Sequence, residues 1–374
     1  MRRSLPLGPV QRSFATRLVH QRIRPPTSTL AHSGRHVMDS LEMTHRILKQ
    51  GKLPSDLLEE VLGLPRPGSP EVRVGPQIGE DACAIDVPAG TLLAASDPIT
   101  LTGTDIARFV VIVNANDVAV MGARPQWFLA TVLLPTGTTE DQVRELFGGL
   151  HRAVSEVGAR LVGGHTEVTA AVTQPVIVGT MLGLAATADV VTTGGARPGD
   201  LVVQIGGVPI EGAAVLAVDE TPRLEAVNIE IIEQAAAARD NPGISVVEQA
   251  LTAAELGATA MHDPTEGGIL GGLHELAMAS RTAVRVDCSK MIWFEPGITV
   301  CRAVGLDPWA TLASGSLLAT FGPDDVEAAL AAFRTGDHDA AVIATVEDGA
   351  GVCDTTGRPM ARPERDEIAR LFDK

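Results

Sequence analysis

The clearest periodicity in the chain lies in residues 139–157, where Val143, Leu146, Phe147, Leu150, Val154 and Val157 recur at helical spacing between polar positions. That stripe predicts an amphipathic helix, and Thr139 followed by Gln142 supplies a capping box at its start. Residues 106–122 behave differently: Ile, Val, Ala and Phe run through them without alternation, over a length too great for one strand. Such a run predicts a helix buried on every side. Short aliphatic and β-branched runs at 82–87, 92–96, 127–135, 160–162 and 176–184 predict strands. Two short helices, 43–49 and 55–62, are expected around the Gly51-Lys52-Leu53-Pro54 turn, with Ser55 as the N-cap of the second.

A glycine- and proline-rich stretch at 192–200 interrupts the pattern and marks a domain boundary. Beyond it, strands are predicted at Leu201–Ile205, 258–261, Ala283–Val286, Leu317–Phe321 and 341–346. Helices are predicted at 211–217, 246–256, Gly268–Ser280 and 324–333, with a last one at 363–372 closing the tail. No internal repeat is visible. The expected organisation is a leader, 1–42, outside the fold; a first domain, 43–190; a second domain, 191–350; and a tail, 351–374. Both domains combine helices with sheets, an α+β architecture of two α/β units.

Composition narrows the classes. With 374 residues, 45% of them apolar, the chain can build two domains with substantial cores. No apolar run approaches the roughly 20 residues of a membrane-spanning helix. Cys83, Cys288, Cys301 and Cys353 form no CxxC pair, so neither a disulfide framework nor a zinc knuckle is indicated, and a cytoplasmic location is expected. Net charge is −16, unevenly spread: residues 1–37 hold seven arginines and no acid. An acid-free leader of this kind reads as an upstream start or a disordered tail, with an organellar transit peptide as the alternative. The remaining body is strongly acidic and would repel nucleic acid. Only four lysines occur in the chain, too few for a lysine-centred phosphate clamp to be expected.

Against this apolar background, acidic and amide side chains stand beside glycine, serine or threonine at several places. Asp81 lies in Gly79-Glu80-Asp81-Ala82, Asp97 in Ser96-Asp97-Pro98, and Asn116 and Asp117 in Asn114-Ala115-Asn116-Asp117. Carboxylates and amides are hard oxygen ligands, and Mg²⁺ is commonly held by one or two carboxylates plus nucleotide phosphates. Glycine-flanked backbone can approach phosphate closely and offer N–H groups. An ATP site without a Walker motif is the expectation; no GxxxxGK[ST], GxGxxG or GxSxG pattern is present. For Asp117 alone, helix capping and a cation network are both open.

Gly163-Gly164-His165-Thr166-Glu167 follows a predicted strand and reads as a tight turn, with Thr166 free to donate to a phosphate. His165 could serve as a general base, a metal ligand or a structural residue. Met261-His262-Asp263-Pro264-Thr265-Glu266-Gly267-Gly268 falls at a strand-to-helix junction, where Gly267 and Gly268 would open a helix able to bind an anion. Simple capping by Asp263 or Thr265 is the alternative.

Taken in order, GEDACAID, SDPIT, NANDVAVMGARP, GGHTEVT, PGD, HDPTEGG and LASGSLL resemble the aminoimidazole ribonucleotide synthetase (PurM-like) superfamily over about residues 48–346. The nearest likeness is to its AIR synthase-related group, close to the hydrogenase-maturation dehydratases. The resemblance implies a homodimer whose first domains pair through their sheets, with ATP in a cleft shared by the subunits. It implies that Asp81, Asp97 and Asp117 serve Mg²⁺ and the phosphates, with Asn116 in the same network. It further implies Gly163, Gly164 and Thr166 along the phosphate path, and Asp263, Gly267 and Gly268 on the facing edge. The chemistry implied is ATP-dependent phosphorylation of a small-molecule oxygen, of amide type in the ligase- and dehydratase-like members. A thiamine-phosphate type of kinase and a nucleotide-binding accessory protein are the alternatives. Two departures matter: the chain ends Leu371-Phe372-Asp373-Lys374 without the terminal cysteine of the maturation enzymes, and His165 stands where relatives carry an acid.

Overall fold

The computed structural model describes residues 47–48, 51–52, 55–63, 70–74, 84–85, 87–88, 90–99, 105–185, 190–219 and 223–372. Asp81 and most of the helix expected at 43–49 lie outside the described residues. At Ile47 the backbone bridges Thr139 in extended form, so the helical expectation does not hold there.

The first half opens with β1 (Gly51–Lys52), α1 (Ser55–Leu62), β2 (Val72–Val74) and β3 (Ala84–Ile85). Next come β4 (Thr91–Ala95), β5 (Pro98–Ile99), α2 (Ile106–Ala119) and β6 (Arg124–Pro135). It closes with α3 (Glu140–Glu156), β7 (Arg160–Thr169) and β8 (Val176–Ala185). The main sheet runs β1-β7-β6-β8-β4, with β5 also on β8; β6 and β7 are parallel and the other pairs antiparallel. Along β8, Ile177, Gly179, Met181, Gly183 and Ala185 are buried, whereas Val178, Thr180, Leu182 and Leu184 are half-buried on the opposite face. The helices α2 and α3 cover the buried face. Thr139 and Gln142 form the capping box that the sequence predicts for α3.

The second half contains β9 (Leu201–Ile205), α4 (Glu211–Asp219), α5 (Ile229–Ala237), α6 (Val247–Glu255) and β10 (Ala260–His262). It continues through α7 (Gly268–Ser280), β11 (Ala283–Val286), α8 (Glu295–Val304) and β12 (Leu317–Phe321). Last are α9 (Val326–Thr335), β13 (Ala340–Glu347) and β14 (Gly351–Asp354). Its sheet is ordered β10-β12-β9-β13-β11-β14, with α6 and α9 on one face and α7 on the other. A further apolar cluster joins α4, α5 and α8 around Leu216, Ala235 and Val300.

One apolar cluster runs through both halves, from Val110 and Phe128 to Val247, Leu251 and Phe321. The helix α2 lies at its centre, against β8, α3 and α6. That placement explains why its sequence shows no polar stripe: each flank meets another element. Two further expectations are corrected. The Gly163-Gly164-His165-Thr166-Glu167 stretch is no turn, because β7 runs straight through it, paired with β6 on one side and β1 at its end. The closing helix expected at 363–372 is a short 3₁₀ turn at Glu367–Phe372. The elements β2, β5, α5, α8 and β14 fall where no element was predicted, and Gly51 and Lys52 of the expected turn form β1 on β7.

Candidate nucleotide site

Asp97 sits on the connection between β4 and β5, and three hydrogen bonds hold its backbone. Its N–H donates to Asn114 Oδ1 at 2.9 Å, and its carbonyl accepts from Asn114 Nδ2 at 3.2 Å and from the Gly179 N–H at 3.0 Å. Asn114 is itself buried in α2, anchored by Nδ2 to the Val110 carbonyl at 2.8 Å. This arrangement needs glycine at 179, since a Cβ there would stand 2.6 Å from Asn114 Nδ2 and 2.8 Å from the Phe128 ring. Asp117 follows Asn114 by three residues, on the same side of α2. Asp263 arrives from the other half of the chain, at the end of β10.

These carboxylates converge. Burial is the first cause that pushes Asp117 well above the ordinary carboxylate range, followed by the charge of Asp263, a hydrogen bond and charge from Asp97, and the charge of Glu266. Asp263 is likewise raised, by burial first and then by Asp97 and Glu266, against the lowering effect of His262. Asp263 is only 5% exposed, and its Oδ2 has no hydrogen-bond partner among the described residues. A buried, unpartnered carboxylate oxygen facing other acids is an unfavourable arrangement without a cation.

The remaining predicted residues sit elsewhere. The amide of Asn116 joins the two halves: Nδ2 donates to the Ile244 carbonyl and Oδ1 accepts from the Val246 N–H, each at 2.9 Å. Gly163, Gly164, His165 and Thr166 lie along β7. His165 pairs across the sheet with Thr131, Thr131 with Val178, and Val178 with Pro98. Three strand spacings therefore separate His165 from the neighbour of Asp97, about 14 Å. His165 is exposed, with Glu167 Oε2 at 3.6 Å from its Nε2. The N–H groups of Gly267 and Gly268 are engaged within the chain, the first by Asp366 Oδ2 at 2.9 Å and the second by the Thr265 carbonyl at 3.1 Å. Gly268 has a positive φ of 65°, and a Cβ there would meet the Trp309 carbonyl at 2.6 Å.

Sequence reasoning missed Asn114, Glu266, Glu211 and Asp366. Glu211, buried at the start of α4, is pushed up to about 7, mainly by burial, with Glu266 and Asp366 adding to the rise and Ser314 opposing it. Asp366 is pushed up to about 6, again by burial first. Glu266 thus links the Asp97–Asp117–Asp263 group to a second pair of acids. Asn114 opens the Asn114-Ala115-Asn116-Asp117 motif, and its position one turn before Asp117 is the sequence signal for it.

Two family models match the chain in tandem: AIR synthase related protein, N-terminal domain, over residues 79–185, and AIR synthase related protein, C-terminal domain, over residues 197–353. The chain belongs to the AIR synthase-related family, within the PurM-like superfamily, and has its two-domain α+β fold. Among characterised relatives, the carbamoyl dehydratase HypE of Rhodobacter capsulatus is 29% identical over 91% of this chain and 91% of its own length. The thiamine-monophosphate kinase of Corynebacterium glutamicum is 30% identical over 59% of this chain and 66% of its own. Of solved structures, the hydrogenase maturation protein HypE of E. coli superposes with a TM-score of 0.69 at 21% identity, covering 84% of this chain and 98% of that one.

Proposed function

We propose that this chain is an ATP- and Mg²⁺-dependent enzyme that phosphorylates a small-molecule oxygen, with an amide-type oxygen as the leading acceptor. The observation that carries this reading is that Asp117 meets Asp97 through a hydrogen bond and Asp263 through its charge, while Asp263 Oδ2 is buried without a partner. An oxygen-only donor set suits a hard divalent cation that takes few carboxylates and completes its shell with water and phosphate. Among the described residues no three acidic, histidine or cysteine side chains are grouped so as to hold a metal ion by themselves. Asp97 and Asp117 would hold it with Asp81, while Asp263 faces them from the second half. When bound, Mg·ATP supplies the transferable phosphoryl group and positive charge on its oxygens.

The protein's part is positioning. Asn114 fixes the Asp97 backbone, α2 carries Asp117, and the Asn116 clamp holds α2 against the segment that precedes α6. We assign Gly163, Gly164 and Thr166 to the phosphate path, His165 to the reacting centre, and Gly267 and Gly268 to the facing edge. Because His165 is distant from Asp97 within one chain, that assignment needs a second copy. The half-buried sheet face bearing Leu129, Leu133, Val178 and Leu182 supports a homodimer. No described helix is long and apolar enough to cross a membrane, and we place the reaction in the cytoplasm.

The similarity to a relative named carbamoyl dehydratase favours phosphorylation of an amide followed by expulsion of phosphate. The similarity to a thiamine-monophosphate kinase supports a second reading, simple transfer to a stable product. Incubating the full chain with ATP, Mg²⁺ and a metabolite extract, and following phosphorus NMR, separates them. Acceptor-dependent ADP and inorganic phosphate are expected; a persistent phosphorylated product favours the kinase. Tight ATP binding with no acceptor-stimulated turnover contradicts both and fits an accessory role.

A further inference from the structure

The second half of the chain contains a cavity of about 500 Å³ between α8 and the segment at 307–309. Two of the three tryptophans of the chain line it: the rings of Trp293 and Trp309 stand 5.0 Å apart at 80°, edge to face. The chain has no tyrosine and only 3% aromatic residues, so a tryptophan corner open to a cavity is a concentrated investment. From α8, Glu295, Ile298 and Arg302 line the same cavity. Their spacing puts them on one helix face, with Glu295 and Arg302 about 10 Å apart along the axis.

Neither the Glu295 carboxylate nor the Arg302 guanidinium has a hydrogen-bond or ion-pair partner among the described residues. Asp307, also in the wall, is differently placed, because its Oδ1 already accepts the Trp309 N–H at 3.0 Å. The wall therefore carries the exposed, unpaired Glu295 and Arg302 side chains two turns of α8 apart, together with Asp307 and the apolar and aromatic surface of Ile298, Pro308, Trp293 and Trp309.

We propose that this cavity is a binding site for a small zwitterion with a planar apolar body, its anionic group at Arg302 and its cationic group at Glu295. A guanidinium pairs with a carboxylate or phosphate through two parallel N–H donors. Indole rings such as those of Trp293 and Trp309 pack against flat apolar bodies and attract cations over their faces. A volume of this size accommodates such a molecule. None of these residues belongs to the Asp97–Asp117–Asp263 group, so occupancy requires no nucleotide and stands apart from the proposed phosphorylation.

Intrinsic fluorescence of the full chain, without ATP, tests the site. Trp127 is 1% exposed, so ligand-dependent changes report on Trp293 and Trp309. The probes are 4-(aminomethyl)benzoate, benzoate and benzylamine. The zwitterion is expected to saturate the signal with an affinity about tenfold above that of either single-charge probe. Arg302→Gln should weaken the zwitterion and benzoate about tenfold and leave benzylamine unchanged, while Glu295→Gln should weaken the zwitterion and benzylamine and leave benzoate unchanged. Equal affinity for all three probes, no saturable change by about 10 mM, or wild-type binding in both variants would overturn the proposal.

Discussion

At Asp117 a carboxylate on a helix with almost no other charge meets Asp263, Asp97 and Glu266. Its folded-state pKa is raised from 3.8 to about 8, so folding binds a proton that the unfolded chain releases at lower pH. The stability this group contributes is fully present below about pH 4 and is lost progressively as pH rises towards 8. Asp117→Asn keeps the shape and removes the titration. In the absence of nucleotide, the variant should therefore melt close to wild type near pH 4 and above it at pH 8, by on the order of 1–2 kcal/mol. Thermal unfolding at both pH values decides it: a gap that does not widen with pH would show that burial and the acidic neighbours do not hold Asp117 protonated. A residue that destabilises the empty protein and, as proposed, would hold a bound cation is an expected compromise of a functional site.

At the scale of elements, legibility followed how far local pattern dictated local structure. Helix α3 was readable because one flank meets the core and the other meets water, leaving a stripe and a capping box. Helix α2 was readable only by its length, because three neighbours erase any stripe. The glycines at 163 and 164 suggested a turn, yet pairing with β6 extends β7 through them; tertiary partners outweighed the local preference. Helix α8 begins at Glu295-Pro296 and ends with Gly305 at φ 77°, signals of a helix start and stop that were available and unused. Strand β14 is a four-residue edge beside β11, too short to show a period. The close approach of α2 to β8 carries a prediction of its own. Gly179→Ala should push Asn114 away from Asp97, destabilise the protein by about 1–3 kcal/mol and weaken Mg·ATP binding together. Thermal unfolding and calorimetry on the same preparation check this. Lost stability with unchanged nucleotide affinity would separate the Asn114 anchor from the site.

Across the whole molecule, the candidate site depends on bringing together position 97 from the first sheet, 117 from helix α2 and 263 from the end of β10 in the second sheet. No periodicity reveals that meeting. It was legible only through the ordered set of motifs and the family they resemble, and Glu266, Glu211 and Asp366 were not legible beside it because their surroundings come from packing between distant segments. The two halves are joined by the apolar cluster around α2 and α6, by the Asn116 clamp, and by Arg124 with Glu248 at 2.7 Å. Arg108 adds a contact to Asp240. These contacts hold Asp263 opposite Asp117 across the junction. The most direct test is calorimetric titration of the full chain with ATP, with and without Mg²⁺, for the wild type, Asp97→Ala and Asp117→Ala. Binding that requires Mg²⁺ in the wild type and is lost in each variant is the expected result. Wild-type affinity in both variants would contradict a shared cation and phosphate site at these carboxylates.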